Sequence, residues 1–319
     1  MDFKIIYKII FALFIFLFCY NPLIAQEEDI SYNHILSVST YYNPSFAGTA
    51  GKYSLSNNFK SGDFGRKNSN MFSMYLSYDM YLNAVRGALG LIYFYNNTSP
   101  FEGLSRYCGF IYAPKINISN SLILSPSIKF GCYSNVDKLI EIKSQQEYDT
   151  IDVNKKNRDI SAGLLISSSN MYAGVSVDHL LEPRINSNFI NSDFIPVYKK
   201  YIIQYGYHYS RNEKGISFIH LNLLYQIQYK NNYFFVSNYF IGKKMAFAKR
   251  SNNGFLKPML GVGYKMINKK FSDCSKNELF AGLGVQDNSL TMAVGFDMPT
   301  NTFKTKAIET SIKYTINYK

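Results

Sequence analysis

Few residues in this chain could perform acid–base or nucleophilic chemistry. Its four histidines are His34, His179, His208 and His220, and the sequence lacks the spacings typical of zinc peptidases, serine hydrolases, nucleotide-binding loops and dithiol sites. Asp178 directly precedes His179, but neighbouring residues of a strand point to opposite faces, so adjacency alone cannot make them a catalytic dyad. We therefore expect no catalytic residues and no enzyme activity.

An acidic stretch from Glu141 to Asp159 is the nearest approach to a metal-binding sequence. Its carboxylates do not follow the regular spacing of a calcium loop. His208 and His220 fall on the polar faces of two alternating segments, which favours a position in a lumen or at its rim over a role as metal ligands. The glycine-rich segments are not followed by a helix, as a phosphate-binding loop would be. We expect neither a metal nor a cofactor.

The composition limits the kinds of fold that could position these side chains. The 319 residues include 28 Tyr and 25 Phe, and only 18% of the chain is charged, which is low for a surface that faces water. A mean hydropathy of -0.13 and a single long apolar stretch exclude a polytopic helical membrane protein. The net charge of +12 suits an anionic lipid surface. No basic stripe belongs to a recognisable nucleic-acid-binding fold, so nucleic acid is not an expected partner.

The long apolar stretch lies at the N-terminus, in "MDFKIIYKIIFALFIFLFCYNPLIAQEED". Lysines before an apolar run, and a possible cleavage position after Ala25, are typical of a secretory signal peptide. An uncleaved anchor helix is the alternative, although Lys8, Asn21 and Pro22 weaken it. We expect a signal peptide at residues 1–25, an N-terminal plug-like segment at residues 26–52 and a barrel at residues 53–319.

Apolar and polar residues alternate with a period of two after residue 50, which is the pattern of β-strands. In the segment from Met171, for example, Val175 is predicted to face lipid and Ser176 the lumen. Most segments are long enough to cross a bilayer at a tilt. The sequence thus predicts an all-β fold, a transmembrane antiparallel β-barrel of about fourteen strands in the bacterial outer membrane. The strands are predicted near residues 53–60, 70–80, 86–96, 105–118, 121–133, 158–168, 170–179, 199–210, 215–229, 232–242, 255–267, 277–286, 289–298 and 305–318.

The connections between these segments differ in length. Two long ones, residues 134–157 and 180–198, are expected to be external loops, and most of the short ones are expected to be periplasmic turns. Cys108 and Cys132 lie at equal distances from Asn120, so a hairpin that turns there would place them opposite one another. Isolated thiols and a cross-strand disulfide both remain open for this pair.

A turn-prone aromatic segment, "YYNPSFAGTAGKYSL" from Tyr41 to Leu55, separates the N-terminus from the first predicted strand. Asn43 before Pro44 disfavours a helix, and Gly48 permits a change of backbone sign. We expect this segment to pack at the periplasmic rim or inside the lumen, with its aromatic side chains as anchors. A simple turn before the first strand is the alternative.

Three segments carry a resemblance to a known family: the aromatic Asn-Pro segment above, "MYAGVSVDHLLEP" at residues 171–183 and "YIIQYGYHYS" at residues 201–210. With the export signal and the closing alternating strand, the chain resembles the PorP/SprF outer-membrane proteins of type IX secretion and gliding motility in Bacteroidetes. The resemblance implies a non-enzymatic component that supports secretion or surface anchoring of partners such as adhesins. A passive porin for small solutes is the alternative function.

The resemblance also names the expected partners and the candidate binding residues. The partners are outer-membrane lipid, other type IX secretion components, and secreted C-terminal-domain substrates or adhesins. Two motifs supply the candidates for the family site and for partner binding: Tyr41, Tyr42, Asn43, Pro44, Phe46, Ala47 and Gly48 in the first, and His179, Leu180, Leu181, Glu182 and Pro183 in the second.

Overall fold

The computed structural model of the chain describes most of the sequence after residue 30. The expected signal peptide lies outside the described residues. No helix in the described part of the chain is long and apolar enough to cross a membrane. The described residues are 31–62, 71–98, 104–144, 147–185, 195–210, 218–228, 231–242, 257–269, 276–287, 289–301 and 307–316.

Strands make up most of the described chain. A single α-helical turn, α1, occupies Ser39–Tyr42, and short 3-10 helices occupy Pro44–Phe46 and Asn83–Val85. The strands are β1 Tyr53–Gly62, β2 Met71–Leu82, β3 Gly87–Thr98, β4 Leu104–Pro114, β5 Ile116–Ser119, β6 Leu122–Ser144, β7 Glu147–Ser167, β8 Met171–Asp178, β9 Arg184–Ile185, β10 Ile195–Pro196, β11 Lys200–Ser210, β12 Phe218–Gln228, β13 Asn231–Ile241, β14 Lys257–Lys269, β15 Lys276–Gln286, β16 Leu290–Pro299 and β17 Ala307–Ile316.

The main sheet closes on itself. Its antiparallel neighbours follow one another along the chain, β1 pairs with β17, and β4 pairs with β6. β4 and β5 both pair with β6 and form one barrel strand that is interrupted at Lys115, while β9 and β10 form a separate two-residue ladder. The result is a closed barrel of fourteen antiparallel strands, which leaves no sheet edge to be satisfied in lipid. The predicted fold class and strand number are confirmed.

The two ends of the barrel differ in the connections between strands that lie there. We call the end where β1 begins and β17 ends the turn end, because tight connections such as those from β5 to β6 and from β7 to β8 lie there. The opposite end, which holds the long connection from β8 to β11, is the loop end. Lys52 and the residues before it reach β1 at the turn end, where the Lys52 amide donates to the Ile316 carbonyl at 2.7 Å.

Side chains alternate across the barrel wall as the sequence pattern predicts. The exposed fraction of Val175 is 45%, whereas Ser176 is buried in the lumen. Large apolar side chains therefore cover the outside, as a lipid-facing surface requires, and the inside is largely polar. Inward-facing polar residues of one hairpin that are buried include Gln204, Asn222, Gln226 and Gln228.

One predicted loop is wrong. Residues 134–144 and 147–157 form paired strands, because β6 continues to Ser144 and β7 begins at Glu147. β4 follows β6 only as far as Val136, so this hairpin extends beyond its neighbours at the loop end. Charged residues interrupt the apolar alternation in this segment. A strand that extends beyond the bilayer needs no lipid-facing surface, so its sequence resembled that of a loop. Of the second predicted loop, the described residues include β9 and β10, and residues 186–194 lie outside them.

We predict that Val175→Arg destabilises the barrel, because it places a charge on the lipid-facing surface. Near the middle of the bilayer the loss should be about 2 to 4 kcal/mol of unfolding free energy. Urea titration of the protein folded in lipid vesicles measures this loss, with Val175→Ala as the control for lost side-chain volume. Equal stabilities of the Arg and Ala variants would show that Val175 does not face lipid.

We predict that a short bifunctional thiol reagent joins Cys108 to Cys132. The two residues are directly opposite on β4 and β6, and both thiols are free and exposed on the outer surface. Cross-strand Cβ atoms lie about 4.5 to 5.5 Å apart, which a short reagent spans. Peptide mapping of the labelled protein should find this cross-link, and Cys132→Ser should abolish it. A wild-type map that shows only singly labelled peptides would contradict the register.

Candidate functional site

Residues 31–52 lie inside the barrel, and we call this segment the plug. It contacts strands on opposite sides of the lumen: the Tyr32 hydroxyl is hydrogen-bonded to Ser73 on β2, and the Tyr239 hydroxyl on β13 donates to the Asn33 carbonyl at 2.6 Å. Ser176 on β8 donates to the Tyr42 carbonyl at 2.6 Å. The plug is thus held by the barrel wall on several sides.

The plug runs along the length of the lumen. Its first described residue, Ser31, is bonded to Lys60 and Lys265, which lie toward the loop-end termini of β1 and β14. Its last residue, Lys52, is at the turn end. Toward the turn end, the Lys313 ammonium donates to the Leu36 carbonyl at 2.9 Å. Lysines of the wall therefore bind carbonyl groups of the plug that secondary structure does not use.

A buried carboxylate binds the plug backbone near the loop end. The two oxygens of Glu309 accept the Asn33 amide at 2.8 Å and the His34 amide at 2.9 Å. The Asn58 side chain donates to the same carboxylate at 2.9 Å. Charge-assisted hydrogen bonds of this kind are about twice as strong as neutral ones. Glu309 is consequently the main acceptor for a stretch of plug that has no helix or strand of its own.

The charge of that carboxylate is balanced within the lumen. The Lys60 ammonium lies 2.7 Å from Asp297 and 3.8 Å from Glu309. His34 is hydrogen-bonded to Ser311 at 2.6 Å. One lysine thus lies between two carboxylates, and His34, whose amide donates to Glu309, lies beside them.

Asn43 and Pro44 shape the middle of the plug. The Asn43 side-chain oxygen accepts the Ser45 amide at 3.0 Å, and Pro44 occupies the first position of the 3-10 helix, where its missing N–H is not needed. The Asn43 side-chain amide faces two wall carbonyls, those of Leu164 at 3.4 Å and Val175 at 3.3 Å. Asn43 therefore caps the plug's own helix and also contacts β7 and β8.

Two glycines of the wall allow Asn43 to come this close. A Cβ on Gly163 would lie 2.3 Å from the Asn43 side-chain oxygen, and a Cβ on Gly174 would lie 2.8 Å from its nitrogen. Both distances are too short for any side chain, so β7 and β8 provide a notch that only glycine can form. The Asn-Pro motif and these two glycines are one structural unit.

Tyr41 is the aromatic centre of the plug. Its ring makes edge-to-face contacts with the surrounding rings, an arrangement that favours aromatic pairs beyond their buried area. The Lys200 ammonium lies 4.8 Å from the centre of the same ring, within the range of a cation–π contact. The ring partners of Tyr41 are Tyr32 at 5.1 Å, Tyr42 at 5.2 Å, Tyr75 at 5.6 Å and Phe94 at 6.4 Å between centroids.

The end of the first motif forms the turn that leaves the plug. Phe46 makes an edge-to-face contact with Tyr172 at 4.9 Å, and Ala47 is buried. Gly48 has a φ of 70°, which favours glycine, and its amide donates to the Asp79 carboxylate at 2.7 Å. The structure therefore places every residue of the first predicted motif in the lumen.

Two adjacent residues of the second motif bind different partners in the barrel wall. His179 is bonded to Asp159 at 2.7 Å, while the preceding Asp178 binds Lys129 at 2.9 Å and Lys200 at 3.2 Å. Asp178 and His179 thus face different partners and form no dyad. Because Lys200 also contacts the Tyr41 ring, it connects the second motif to the first.

The rest of the second motif is a turn at the loop end. His179 and Glu182 have φ values of 59° and 47°, and between them Leu180 and Leu181 are exposed, the latter at 52%. Glu182 pairs with Lys199 at 3.3 Å, and Pro183 is buried. The structure therefore does not bring all five predicted residues to one surface, because His179 and Pro183 are buried while the two leucines are exposed.

Sequence reasoning missed most of the wall residues that hold the plug. They are lysines, acids and glycines on the inward faces of predicted strands, namely Lys60, Lys200, Lys313, Asp297, Glu309, Gly163 and Gly174. The alternating pattern indicated which charged residues face the lumen. It did not indicate the partner of each charge, because the partners lie up to 277 residues away in the chain.

The solved structures that resemble this chain have low sequence identity to it. Among solved structures, the chain is similar to the Acinetobacter baumannii outer membrane protein Omp33 (8% identity, TM-score 0.46, covering 83% of this chain and 98% of that one). It is also similar to a Pseudomonas aeruginosa FadL homologue (9% identity, TM-score 0.45, 82% and 89%) and to the β-domain of the Bordetella autotransporter BrkA (9%, 0.40, 84% and 100%). No curated protein matches the sequence.

A family model matches nearly the whole chain. The family described as "Type IX secretion system membrane protein PorP/SprF" matches residues 24–318, which is nearly the whole chain and includes both motifs and the plug. The family and the closed barrel together identify an outer-membrane component of type IX secretion. The chain belongs to the PorP/SprF family of bacterial outer-membrane proteins.

Proposed function

We propose that this protein supports the secretion or the surface anchoring of partner proteins, such as adhesins, and catalyses no reaction. The observation that carries the proposal is the plug, which runs through the lumen from Ser31 near the loop end to Lys52 at the turn end. A barrel whose interior is occupied in this way suits a scaffold better than an open channel. Family membership supplies the secretion system in which the scaffold works.

The orientation in the membrane follows from the same proposal. Residues 1–25 act as a cleaved signal peptide, residues 26–52 form the plug segment and residues 53–319 form the barrel. Short connections face the periplasm and long ones face the exterior in barrels of this class. The turn end therefore meets other type IX components, and the loop end meets the exported partner.

The exposed leucines of the second motif are the proposed contact for that partner. Leu180 and Leu181 are exposed on a turn whose backbone is held by the His179–Asp159 pair and by a hydrogen bond from the Leu180 amide to the Ile160 carbonyl. Apolar side chains that a rigid scaffold presents to solvent are typical of protein-binding surfaces. The plug motif has the different role of keeping the lumen closed.

We predict that a strain lacking this protein fails to display one or a few cognate secreted proteins, while uptake of small solutes is unchanged. Quantitative surface proteomics and a solute-uptake assay measure the two properties. Normal display with impaired uptake would refute the proposal and favour a passive porin.

Complementation of that strain tests the leucines. The double variant Leu180→Ser, Leu181→Ser should reach the outer membrane in normal amount but restore display poorly. Asn301→Ser is the control, because Asn301 is exposed at the same end of the barrel, just after β16. Full display with the leucine variant would show that the partner binds elsewhere.

We predict that Gly163→Ala displaces the plug, because its new methyl group would overlap the Asn43 side chain. Overpacking of this kind destabilises a protein by about 1 to 3 kcal/mol. The variant should lower the temperature at which the barrel loses its heat-resistant band, and it should raise ion conductance in planar bilayers. Gly90→Ala is the control, since a Cβ there would have ordinary contacts at 3.4 Å. Identical conductance of the two variants would contradict the role of the notch.

A further inference from the structure

A cavity at the turn end of the lumen is bordered by two histidines that face each other. Its volume is about 1400 Å³, and it lies between the plug, at residues such as Phe46, and the barrel wall. His208 on β11 and His220 on β12 are directly opposite one another, and both line the cavity. Solutes that enter the cavity can therefore reach both rings.

The two imidazole rings have a separation that suits a shared metal ion. Nδ1 of His208 lies 3.1 Å from each ring nitrogen of His220, and the ring planes meet at 76°. Two imidazole nitrogens that bind one ion at about 2.0 to 2.1 Å, at a tetrahedral angle, lie about 3.4 Å apart. Rotation about the terminal side-chain bonds, which is soft for imidazole, is sufficient to direct both lone pairs at one point.

The other two histidines of the chain do not offer such a site. His34 is 2% exposed and bonded to Ser311, and His179 is 5% exposed and paired with Asp159. Both are enclosed by their neighbours. A metal ion in solution thus meets paired, accessible imidazoles only at the cavity, as far as the described residues show.

The ligand set decides which ions would bind. In the described chain, no three His, Cys, Asp or Glu side chains are grouped closely enough to hold a metal, so the protein would supply two nitrogen ligands. Nitrogen ligands favour Cu²⁺, Ni²⁺ and Zn²⁺ over Ca²⁺ and Mg²⁺, which require oxygen. Water or a ligand from a partner would complete the coordination from the cavity.

The lysines of the cavity lie on other parts of its wall. Lys115 and Lys313 line the same space, and no carboxylate of the described residues does. In the closed sheet, three strands separate Lys115 from β11, and four separate Lys313 from β12. The positive charge favours an anionic co-ligand on the metal, and it weighs against a hard cation that depends on charge alone.

We propose that His208 and His220 form a binding site for a divalent transition-metal ion, Cu²⁺, Ni²⁺ or Zn²⁺, with open coordination positions facing the cavity. The site revises the expectation that these residues only line the lumen. It is independent of the proposed function, because it rests on the geometry of the two rings and on their access to the cavity.

The test uses full-length mature protein in detergent, purified without a histidine tag and titrated with Cu²⁺. Electron paramagnetic resonance should show one bound ion per chain with two equatorial nitrogens. Each of His208→Asn and His220→Asn should weaken binding by at least about tenfold, a loss that even changes outside the ligand shell produce at metal sites. Zn²⁺ and Ni²⁺ should displace the copper signal only in large excess, because Cu²⁺ binds nitrogen ligands more tightly.

Ser169→Ala is the matched control, because Ser169 lines the same cavity and offers no imidazole. Its copper affinity should equal that of the wild type. A wild-type spectrum without two nitrogen ligands would overturn the proposal even if a variant failed to fold. Unchanged copper affinity in both histidine variants would overturn it equally.

Discussion

An irregular backbone at membrane depth must have all its polar groups bonded, and this constraint governs the interior of the barrel. The plug has one helical turn and one short 3-10 helix, so most of its amides and carbonyls need partners from the wall. Glu309 accepts two successive plug amides, and Lys60 and Lys313 donate to plug carbonyls. The plug therefore depends on the polar lumen, because without partners from the wall its buried backbone groups would be unsatisfied.

Contacts inside the lumen connect the barrel wall to both sequence motifs. Asn43 occupies a notch made by two glycines, and Lys200 contacts both the Tyr41 ring and Asp178. Asp178 is the last residue of β8, and the turn that exposes Leu180 and Leu181 follows it at the loop end. Lys200 therefore connects the plug to the strand that directly precedes the exposed leucines.

Local patterns in the sequence were sufficient to predict the fold, but they did not identify the wall residues that hold the plug. The period of two identified fourteen strands, and a tight turn near Asn120 placed Cys108 opposite Cys132, since both depend on neighbours in the chain. The extension of β6 to Ser144 was missed because strands beyond the bilayer lose the lipid-facing pattern. The role of Gly163 could not be inferred, because Asn43, the residue that requires it, is 120 positions away (163 − 43).

The plug-binding residues of β17 have a consequence for how the protein assembles. Glu309, Ser311 and Lys313 all bind the plug, and all lie on β17, the strand that meets β1 to close the ring. The strands that meet at this seam are among the most distant in the chain, and contacts of such separation form slowly during folding. Because the plug immediately precedes β1, it is in place to bind β17 as the seam forms. We therefore expect the plug to favour the pairing of β17 with β1, because its contacts with β17 hold that strand beside the start of the barrel.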